Sequence, residues 1–257
     1  MYKNKLFSES IAQPTKQAFR VLAAIGLSVA LTGCGQLGQL LSNPQVSDAD
    51  NNQVIFVGDS IFALSGGIQD ILEEKAGETF RRYTVSGAQL NGGFLAPSIP
   101  EQYATAYADN PNITTMVGDA GGNDILIPAI FIDPNNCKTR NSRADLSDRC
   151  KAFIDDLYVD GVDFLNSIAD DGVQNGVLLG YYYTKNGLFW LASMKQAVDY
   201  GNMILQRACD NSTLDCAFVD PRSTIENSDI LFDGIHPNAS GSAKLAELIW
   251  PKLQPLL

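Results

Sequence analysis

Short β-rich apolar runs alternate along the chain with segments whose apolar residues recur at a helical period, and this alternation restricts the possible folds. The first run, Val54–Val57, is bounded by Gly58, as is typical of a buried parallel strand. Further runs with strand character cover 80–85, 113–117, 177–182 and 217–219. Helical periodicity covers 68–76, 153–169, 188–209 and 239–253. The pattern predicts an α/β fold with a mainly parallel five-stranded sheet, in which sites form at the carboxyl ends of strands.

The composition is compatible with one large domain. The chain has 257 residues, of which 45% are hydrophobic and 18% are charged, so it has enough apolar mass for a sizeable core. Its 18 basic and 29 acidic residues leave a formal net charge of −11, which disfavours nucleic acid as a partner. A single histidine, His236, excludes any metal site built from several histidines. The polar segment 118–152 is predicted to be an excursion over the surface rather than another layer.

The first 33 residues have the pattern of a secretory signal peptide. Four basic residues precede an apolar run over 21–31, which is shorter than the ~20 residues of a transmembrane helix. The run ends in Leu31-Thr32-Gly33-Cys34, which resembles the lipobox of bacterial lipoproteins. That resemblance implies cleavage before Cys34, lipidation of this cysteine and anchoring in the bacterial cell envelope, and Gly35 at the next position resembles a signal for the outer membrane. The alternative is an ordinary signal peptide with an incidental cysteine.

These features divide the chain into three predicted regions: a signal peptide over 1–33, a flexible tether over 34–53 and a folded domain over 54–257. With Cys34 assigned to lipid, four of the five cysteines remain, and four cysteines allow three pairings in an oxidising compartment. The local pairing, Cys137–Cys150 with Cys209–Cys216, is the simplest because each bond closes a short polar loop. A zinc site is the alternative, but the sequence has no CxxC pair.

The residues best suited to catalysis follow the ends of predicted strands or precede the last helix. Gly58-Asp59-Ser60 comes directly after the first strand, where a tight turn can expose a hydroxyl beside helix N–H groups. Asp233-Gly234-Ile235-His236 precedes the last helix. Histidine is the usual base for a hydroxyl nucleophile, and a carboxylate three residues earlier can orient its ring. The alternatives are an ordinary turn and a surface histidine in a helix-start turn.

Two more strand ends offer hydrogen-bond donors. Gly121-Gly122-Asn123-Asp124 follows the third strand, and the Asn123 amide can donate to a developing oxyanion. Ser86-Gly87 follows the second strand, where the Gly87 N–H can add another donor. Ordinary loop glycines and an Asx turn at Asn123 are the alternatives.

Taken in order, these four blocks resemble those of the SGNH or GDSL hydrolases, and they span nearly the whole predicted domain. The resemblance implies a flavodoxin-like, three-layer α/β/α fold with a central, mainly parallel sheet of about five strands. It also implies that Ser60 is the nucleophile, His236 the general base and acid, and Asp233 the residue that orients the histidine. The Ser60 N–H, the Gly87 N–H and the Asn123 side chain would form the oxyanion hole.

The remaining residues of these blocks have smaller implied roles. Asp59 and Asp124 would support the local turns, and Ile61 replaces the leucine that often follows the serine. Gly92 and Gly93 lie near Gly87 and could take its place as a donor. The resemblance implies no metal or organic cofactor and a small-molecule or lipid ester as substrate. The chain is expected to be a monomer, although the sequence itself does not reveal the oligomeric state.

The sequence leaves three functions open. The first is a serine carboxylester hydrolase of the esterase or lipase type, the second an O-acetyl esterase or acyltransferase acting on cell-envelope glycan, and the third a non-catalytic envelope lipoprotein. The apolar run 126–132 is expected either to line an acyl pocket or to pack on the sheet as a strand or helix. Tyr181, Tyr182, Tyr183, Phe189 and Trp190 are expected to form a wall of the cleft or to pack in the core.

Overall fold

The computed structural model describes residues 41–139, 145–185 and 194–257, and in these residues strands and helices alternate along the chain. The strands are β1 (Asn51–Val57), β2 (Phe80–Arg82), β3 (Thr115–Gly118), β4 (Asn175–Leu179) and β5 (Asp215–Val219). The helices are α1 (Ser60–Ala63), α2 (Gly67–Ala76), α3 (Ile99–Asp109), α4 (Gly122–Phe131), α5 (Asp148–Asp170), α6 (Lys195–Asn211) and α7 (Ala239–Leu253). Short 3₁₀ turns cover Asn227–Asp229 and Gln254–Leu256.

The described strands form one parallel sheet in the order β2-β1-β3-β4-β5. Because β2 lies on one side of β1 and β3 on the other, the chain reverses its direction of travel across the sheet between β1 and β3. Ligands of open α/β sheets bind outside the carboxyl ends of the strands at such a point. The predicted fold class, a three-layer α/β/α structure with a five-stranded parallel sheet, is confirmed.

Alternation along β1 divides the core between the two faces of the sheet. Val54 and Phe56 are buried on the face covered by α1, α2 and α7, and Ile55 and Val57 are buried on the face covered by α3 and α5. A third apolar cluster joins α4, α5 and α6 through Ala129, Ile154 and their buried neighbours. This last cluster lies outside the two sheet faces and connects the helices that follow β3 and β4.

Capping residues in the local sequence mark where helices α7 and α3 begin. Helix α7 has the bounds that its periodicity predicts, and the Asn238 side chain caps its first turn by accepting a hydrogen bond from the Gly241 N–H at 3.1 Å. Helix α3 was not predicted, although Ser98 and Glu101 form a reciprocal capping box at its start. Its buried face includes the polar residue Gln102. The spacing of apolar residues alone therefore does not reveal that this segment has one buried and one exposed face.

The predicted surface excursion over 118–152 is wrong in part. Residues 122–131 form helix α4, and Asp148 begins helix α5, so the irregular stretch lies between these helices. The apolar run 126–132 therefore belongs mostly to a helix, which is one of the two structures expected for it. The predicted strand over 177–182 ends at Leu179. Of the helix predicted over 188–209, residues 188–193 fall outside the described residues. The described helix α6 begins at Lys195 and ends at Asn211. None of the described helices is both long enough and apolar enough to cross a membrane.

The start of the described chain is attached to the domain. Residues 51–53, predicted to end the tether, lie in β1, and Val46 pairs with Arg82 through backbone hydrogen bonds in both directions.

The structure contains the disulfides Cys137–Cys150 and Cys209–Cys216, as the local pairing requires. The predicted signal peptide and the lipidation candidate Cys34 lie outside the described residues.

Candidate active site

The turn after β1 presents Ser60 at the carboxyl edge of the sheet. Asp59 caps helix α1, because its Oδ1 accepts a hydrogen bond from the Ile61 N–H at 2.9 Å. Ser60 is the first residue of this helix, and the first N–H groups of a helix have no acceptor within it. Gly58 has a φ of +153°, and a Cβ there would lie 2.6 Å from Asp119 Oδ1, so the turn requires glycine at this position.

A tightly bonded loop before α7 presents His236. The Leu231 N–H donates to the His236 carbonyl at 2.8 Å, and Ile230 and Pro237 form an antiparallel bridge. From the segment that follows β4, the Tyr182 hydroxyl donates to the Ile235 carbonyl at 2.6 Å. These contacts hold the histidine from both sides of the loop and join it to the sheet.

The two segments bring three predicted residues into one hydrogen-bonded chain. His236 Nε2 lies 2.8 Å from Ser60 Oγ, and His236 Nδ1 lies 2.8 Å from Asp233 Oδ2. Asp233 Oδ1 accepts from the N–H groups of Ile235 and His236 at 2.9 and 3.0 Å. Burial raises the pKa of the Asp233 carboxyl, but the hydrogen bonds from Ile235 and His236 outweigh burial and lower it overall. Asp233 is therefore ionised near neutral pH and can hold a proton on His236 Nδ1.

Three donor groups of the predicted oxyanion hole lie around the same edge. Within the part of the chain that the structure describes, neither the Ser60 N–H nor the Gly87 N–H has a hydrogen-bond acceptor. The buried Asn123 side chain donates one of its two amide hydrogens to the Ala88 carbonyl at 3.0 Å. That bond orients the amide and joins it to the residue after Gly87.

Asp124 supports the loop that carries Gly87. Its carboxylate accepts hydrogen bonds from the N–H groups of Leu90 and Asn91 at 2.7 and 3.1 Å, which ties the loop after β2 to the start of α4. Burial raises the pKa of the Asp124 carboxyl, and these two backbone donors only partly offset that effect. Asp59 and Asp124 thus both stabilise turns, in keeping with their predicted roles.

Sequence reasoning missed Asp119, which lies next to the turn that carries Ser60, and expected Tyr181 only as part of the cleft wall or the core. Asp119, which follows β3 and is 1% exposed, accepts the Asp59 N–H through Oδ1 at 2.7 Å. The Tyr181 hydroxyl donates to Asp59 Oδ2 at 3.0 Å, and its ring packs so closely on Gly122 that any Cβ there would collide with it. The position of Asp119 at the carboxyl end of the strand beside β1 was the available signal.

Asp59 and Asp119 form a buried carboxyl pair beside the turn that carries Ser60. Burial raises the pKa of both groups, and the charge of Asp59 raises the pKa of Asp119 further, well above the ordinary value of 3.8. The same burial and the two nearby carboxyls raise the pKa of the Tyr181 phenol. Asp119 Oδ2 has no hydrogen-bond partner among the described residues. The pair therefore retains a proton at pH values where an exposed aspartic acid has lost it.

We predict that Asp119→Asn stabilises the fold at pH 8 and has little effect at pH 4. A raised pKa means that the folded state binds more protons than the unfolded chain, so this pair loses stability as the pH rises above about 4. Asparagine keeps the acceptor for the Asp59 N–H but removes the second ionisable group, and the expected gain at pH 8 is about 1–3 kcal/mol. Urea unfolding at both pH values measures it, with the exposed Asp163→Asn as the control. Equal pH dependence in the wild type and Asp119→Asn would contradict the prediction.

An apolar cavity opens beside this group of residues. Its volume is about 100 Å³, and Ser60, Asn123 and Ile235 are among its lining residues. The rest of its wall comes mainly from α4, α5 and α6. Tyr181 and Tyr182 also line it, as expected for a wall of the cleft, whereas Phe189 and Trp190 lie outside the described residues. No group of three or more metal-ligating side chains occurs in the described part of the chain.

Comparisons by sequence identify no relative. No protein-family model matches the chain, and no curated protein matches it.

Comparison of the fold, in contrast, finds many similar solved structures. A carbohydrate esterase of family 3 from Talaromyces cellulolyticus superposes with a TM-score of 0.55 at 17% identity, over 79% of this chain and 96% of the other. A candidate SGNH hydrolase from Slackia heliotrinireducens superposes with a TM-score of 0.54 at 15% identity, over 78% and 97%. The lipase/acylhydrolase from Enterococcus faecalis gives 0.52 at 15% identity, over 80% and 97%. The chain therefore has the fold found in SGNH hydrolases, acylhydrolases and carbohydrate esterases.

Proposed function

We propose that the protein is a serine carboxylester hydrolase of the SGNH type. The observation that carries this proposal is the hydrogen-bonded chain Ser60–His236–Asp233, which meets an apolar cavity at Ser60. Nucleophile, base and orienting carboxylate in this arrangement are recognised by their geometry and roles on several unrelated folds. The esterases and acylhydrolases among the similar structures support ester bonds as the target.

In the proposed reaction, His236 Nε2 accepts the Ser60 proton while Oγ attacks the ester carbonyl carbon. The resulting tetrahedral oxyanion accepts hydrogen bonds from the Ser60 N–H, the Gly87 N–H and the Asn123 amide. The bond to the alcohol oxygen then breaks as His236 returns the proton to the leaving group. Water attacks the acyl-enzyme by the same route, and Ser60 recovers its proton when the carboxylic acid leaves. Asp233 stabilises the imidazolium formed in each half of the reaction.

Active-site labelling tests this proposal directly. A fluorophosphonate reacts with an activated serine because His236 can remove the hydroxyl proton, so we expect it to modify Ser60 stoichiometrically and to abolish ester hydrolysis. Ser60→Ala should not be labelled, whereas the exposed Ser65→Ala should be labelled like the wild type. Failure to label the folded wild-type protein would overturn the proposed function.

Asn123→Ala is expected to lower kcat by about 10²–10³-fold, the usual loss for one oxyanion donor. The amide acts on charge that exists only in the transition state, so KM should change much less. Steady-state kinetics on p-nitrophenyl acetate measure both constants. The exposed Asn112→Ala is the control, and a thermal melt checks that loss of the bond to Ala88 leaves the domain folded. A change in kcat of less than about threefold would exclude Asn123 as a donor.

A second candidate function is removal of O-acetyl groups from a glycan. The names of similar structures favour it, since they include carbohydrate esterases of families 2 and 3 and an acetyl-xylooligosaccharide esterase from Geobacillus. Acetylated oligosaccharides compared with alkyl esters of increasing length distinguish the two functions. Transfer of the acetyl group to an added glycan instead of water would identify an acyltransferase.

The proposal also includes a lipid anchor in the bacterial envelope, which rests on the sequence motif that ends at Cys34. In cells, the wild-type chain should fractionate with membranes, and Cys34→Ser should release it or block its processing. Mass spectrometry of the N-terminal peptide then identifies or excludes a lipid on Cys34.

A further inference from the structure

The apolar cavity beside Ser60 continues between α4, α5 and α6, and we call it the interhelical cavity. Ile125 of α4, Leu157 of α5 and Leu205 of α6 are among its lining residues. Asn202 also lines it, and its amide is held by Tyr181, because it accepts from the Tyr181 N–H at 2.8 Å and donates one hydrogen to the Tyr181 carbonyl at 2.6 Å. The interior beyond Ser60 thus offers mainly carbon atoms to an occupant.

Two glycines inside helices leave much of this space open. Gly161 lies in α5 and Gly201 in α6, and both line the cavity. Neither has a positive φ, and glycine destabilises a helix interior relative to alanine. A Cβ on Gly201 would lie 3.8 Å from Ile125 Cδ1, and one on Gly161 would lie 3.7 Å from Ala208 Cβ. Backbone geometry therefore does not require glycine at either position, and a larger side chain at either one would take up space in the cavity.

A second, smaller cavity adjoins the interhelical cavity on the side of the sheet. Leu90, Gly161 and Ala208 line both the interhelical cavity and a smaller neighbouring cavity, whose other wall includes Met116 and Leu178 of the sheet. An occupant that enters beside Ser60 can thus be enclosed by apolar side chains on its way toward the interior.

We propose that the interhelical cavity binds the acyl chain of the ester, and that Gly161 and Gly201 set how long that chain can be. This inference rests on the proposed function, because it takes Ser60 as the atom that attacks the acyl carbonyl. An apolar cavity of ~150 Å³ holds the six carbons of a benzene ring, so about 100 Å³ suits an aliphatic chain of about four carbons. The preferred substrates are accordingly esters of short to medium-chain fatty acids, rather than acetyl esters.

The expected signature is a rise in kcat/KM with chain length up to the capacity of the cavity. Each methylene that moves from water into the cavity should raise kcat/KM about fourfold. The series of p-nitrophenyl acetate, butanoate, hexanoate and decanoate measures this rise on the full chain. We expect a maximum at butanoate or hexanoate and a decline at decanoate.

Gly201→Leu tests whether the chain occupies this cavity. The leucine side chain would project toward Ile125 and fill the space, so the ratio of hexanoate to acetate activity should fall about tenfold or more. The ratio is taken to acetate because the acetyl group does not reach beyond Ser60 and Asn123, so a fall in the ratio reports the loss of space for the longer chain. Gln206→Leu is the matched control, since it adds the same side chain to an exposed position of α6. An unchanged ratio in Gly201→Leu would overturn the proposal.

The outcomes separate this inference from the proposed function. Hydrolysis of acetate with labelling of Ser60 but no rise with chain length would retain the hydrolase and overturn the acyl pocket. If no ester is hydrolysed, binding still tests the cavity: ligand-observed NMR on the Ser60→Ala variant should detect hexanamide but not acetamide. The signal should disappear when Gly201→Leu is added. Absence of hexanamide binding to Ser60→Ala would overturn the pocket independently of any activity.

Discussion

Replacement of Ser60 by alanine is expected to lower kcat for ester hydrolysis by about 10⁴–10⁶-fold. Without Oγ, no acyl-enzyme can form, and the remaining rate comes only from the oxyanion donors and from substrate binding. The cavity and the donors are retained, so substrate should still bind with an affinity similar to that of the wild type. Stopped assays with high enzyme concentration measure the residual rate, and inhibition by a substrate amide measures binding.

The matched control for this experiment is Ser65→Ala. Ser65 is an exposed serine just after α1, and its side chain accepts a long hydrogen bond of 3.3 Å from the Gly67 N–H. Its replacement should leave the kinetic constants within about twofold of the wild type, as is usual for surface substitutions. A Ser60→Ala variant that retains more than about a tenth of the wild-type rate would mean that another group attacks the ester.

Replacement of Asp233 by asparagine is expected to lower kcat by about 10⁴-fold while the fold persists. The asparagine carbonyl oxygen can still accept from the backbone N–H groups of Ile235 and His236, which preserves the loop. Its amide nitrogen would face His236 Nδ1 as a donor, so the ring would hold its proton on Nε2 and could not accept the proton of Ser60. The geometry is retained, but the wrong tautomer of the base is stabilised.

Kinetics as a function of pH and a thermal melt measure this effect and distinguish it from unfolding. Asp220→Asn is the control, because Asp220 is exposed and pairs with Arg222 in a surface ion pair. A loss of less than about tenfold in Asp233→Asn would show that the carboxylate does not govern the histidine. The same variant should retain cavity binding of hexanamide, since Asp233 does not line the cavity.

Local patterns were sufficient for most of the elements that support this site. Helix α7 follows from its apolar spacing and its Asn238 cap, and β1 follows from a run of apolar residues that ends at glycine. Helix α3 escaped prediction because Gln102 is part of its buried face. That burial depends on a distant partner: the Gln102 amide bonds to both the N–H and the carbonyl of Gly58, at 2.8 and 3.0 Å. No pattern within eleven residues can reveal a polar group that is buried through a partner 44 positions away.

The sequence by itself determined the α/β alternation and the candidate residues Ser60, Asn123, Asp233 and His236, because turns and strand ends are read from neighbouring residues. Only the tertiary structure decided that Ser60 and His236, 176 positions apart, lie 2.8 Å from each other. It alone also placed the carboxyl of Asp119 beside the turn that carries Ser60 and formed the cavity that Gly161 and Gly201 line. Burial and cavities depend on how helices and sheet pack together, and packing joins residues that are remote in the chain.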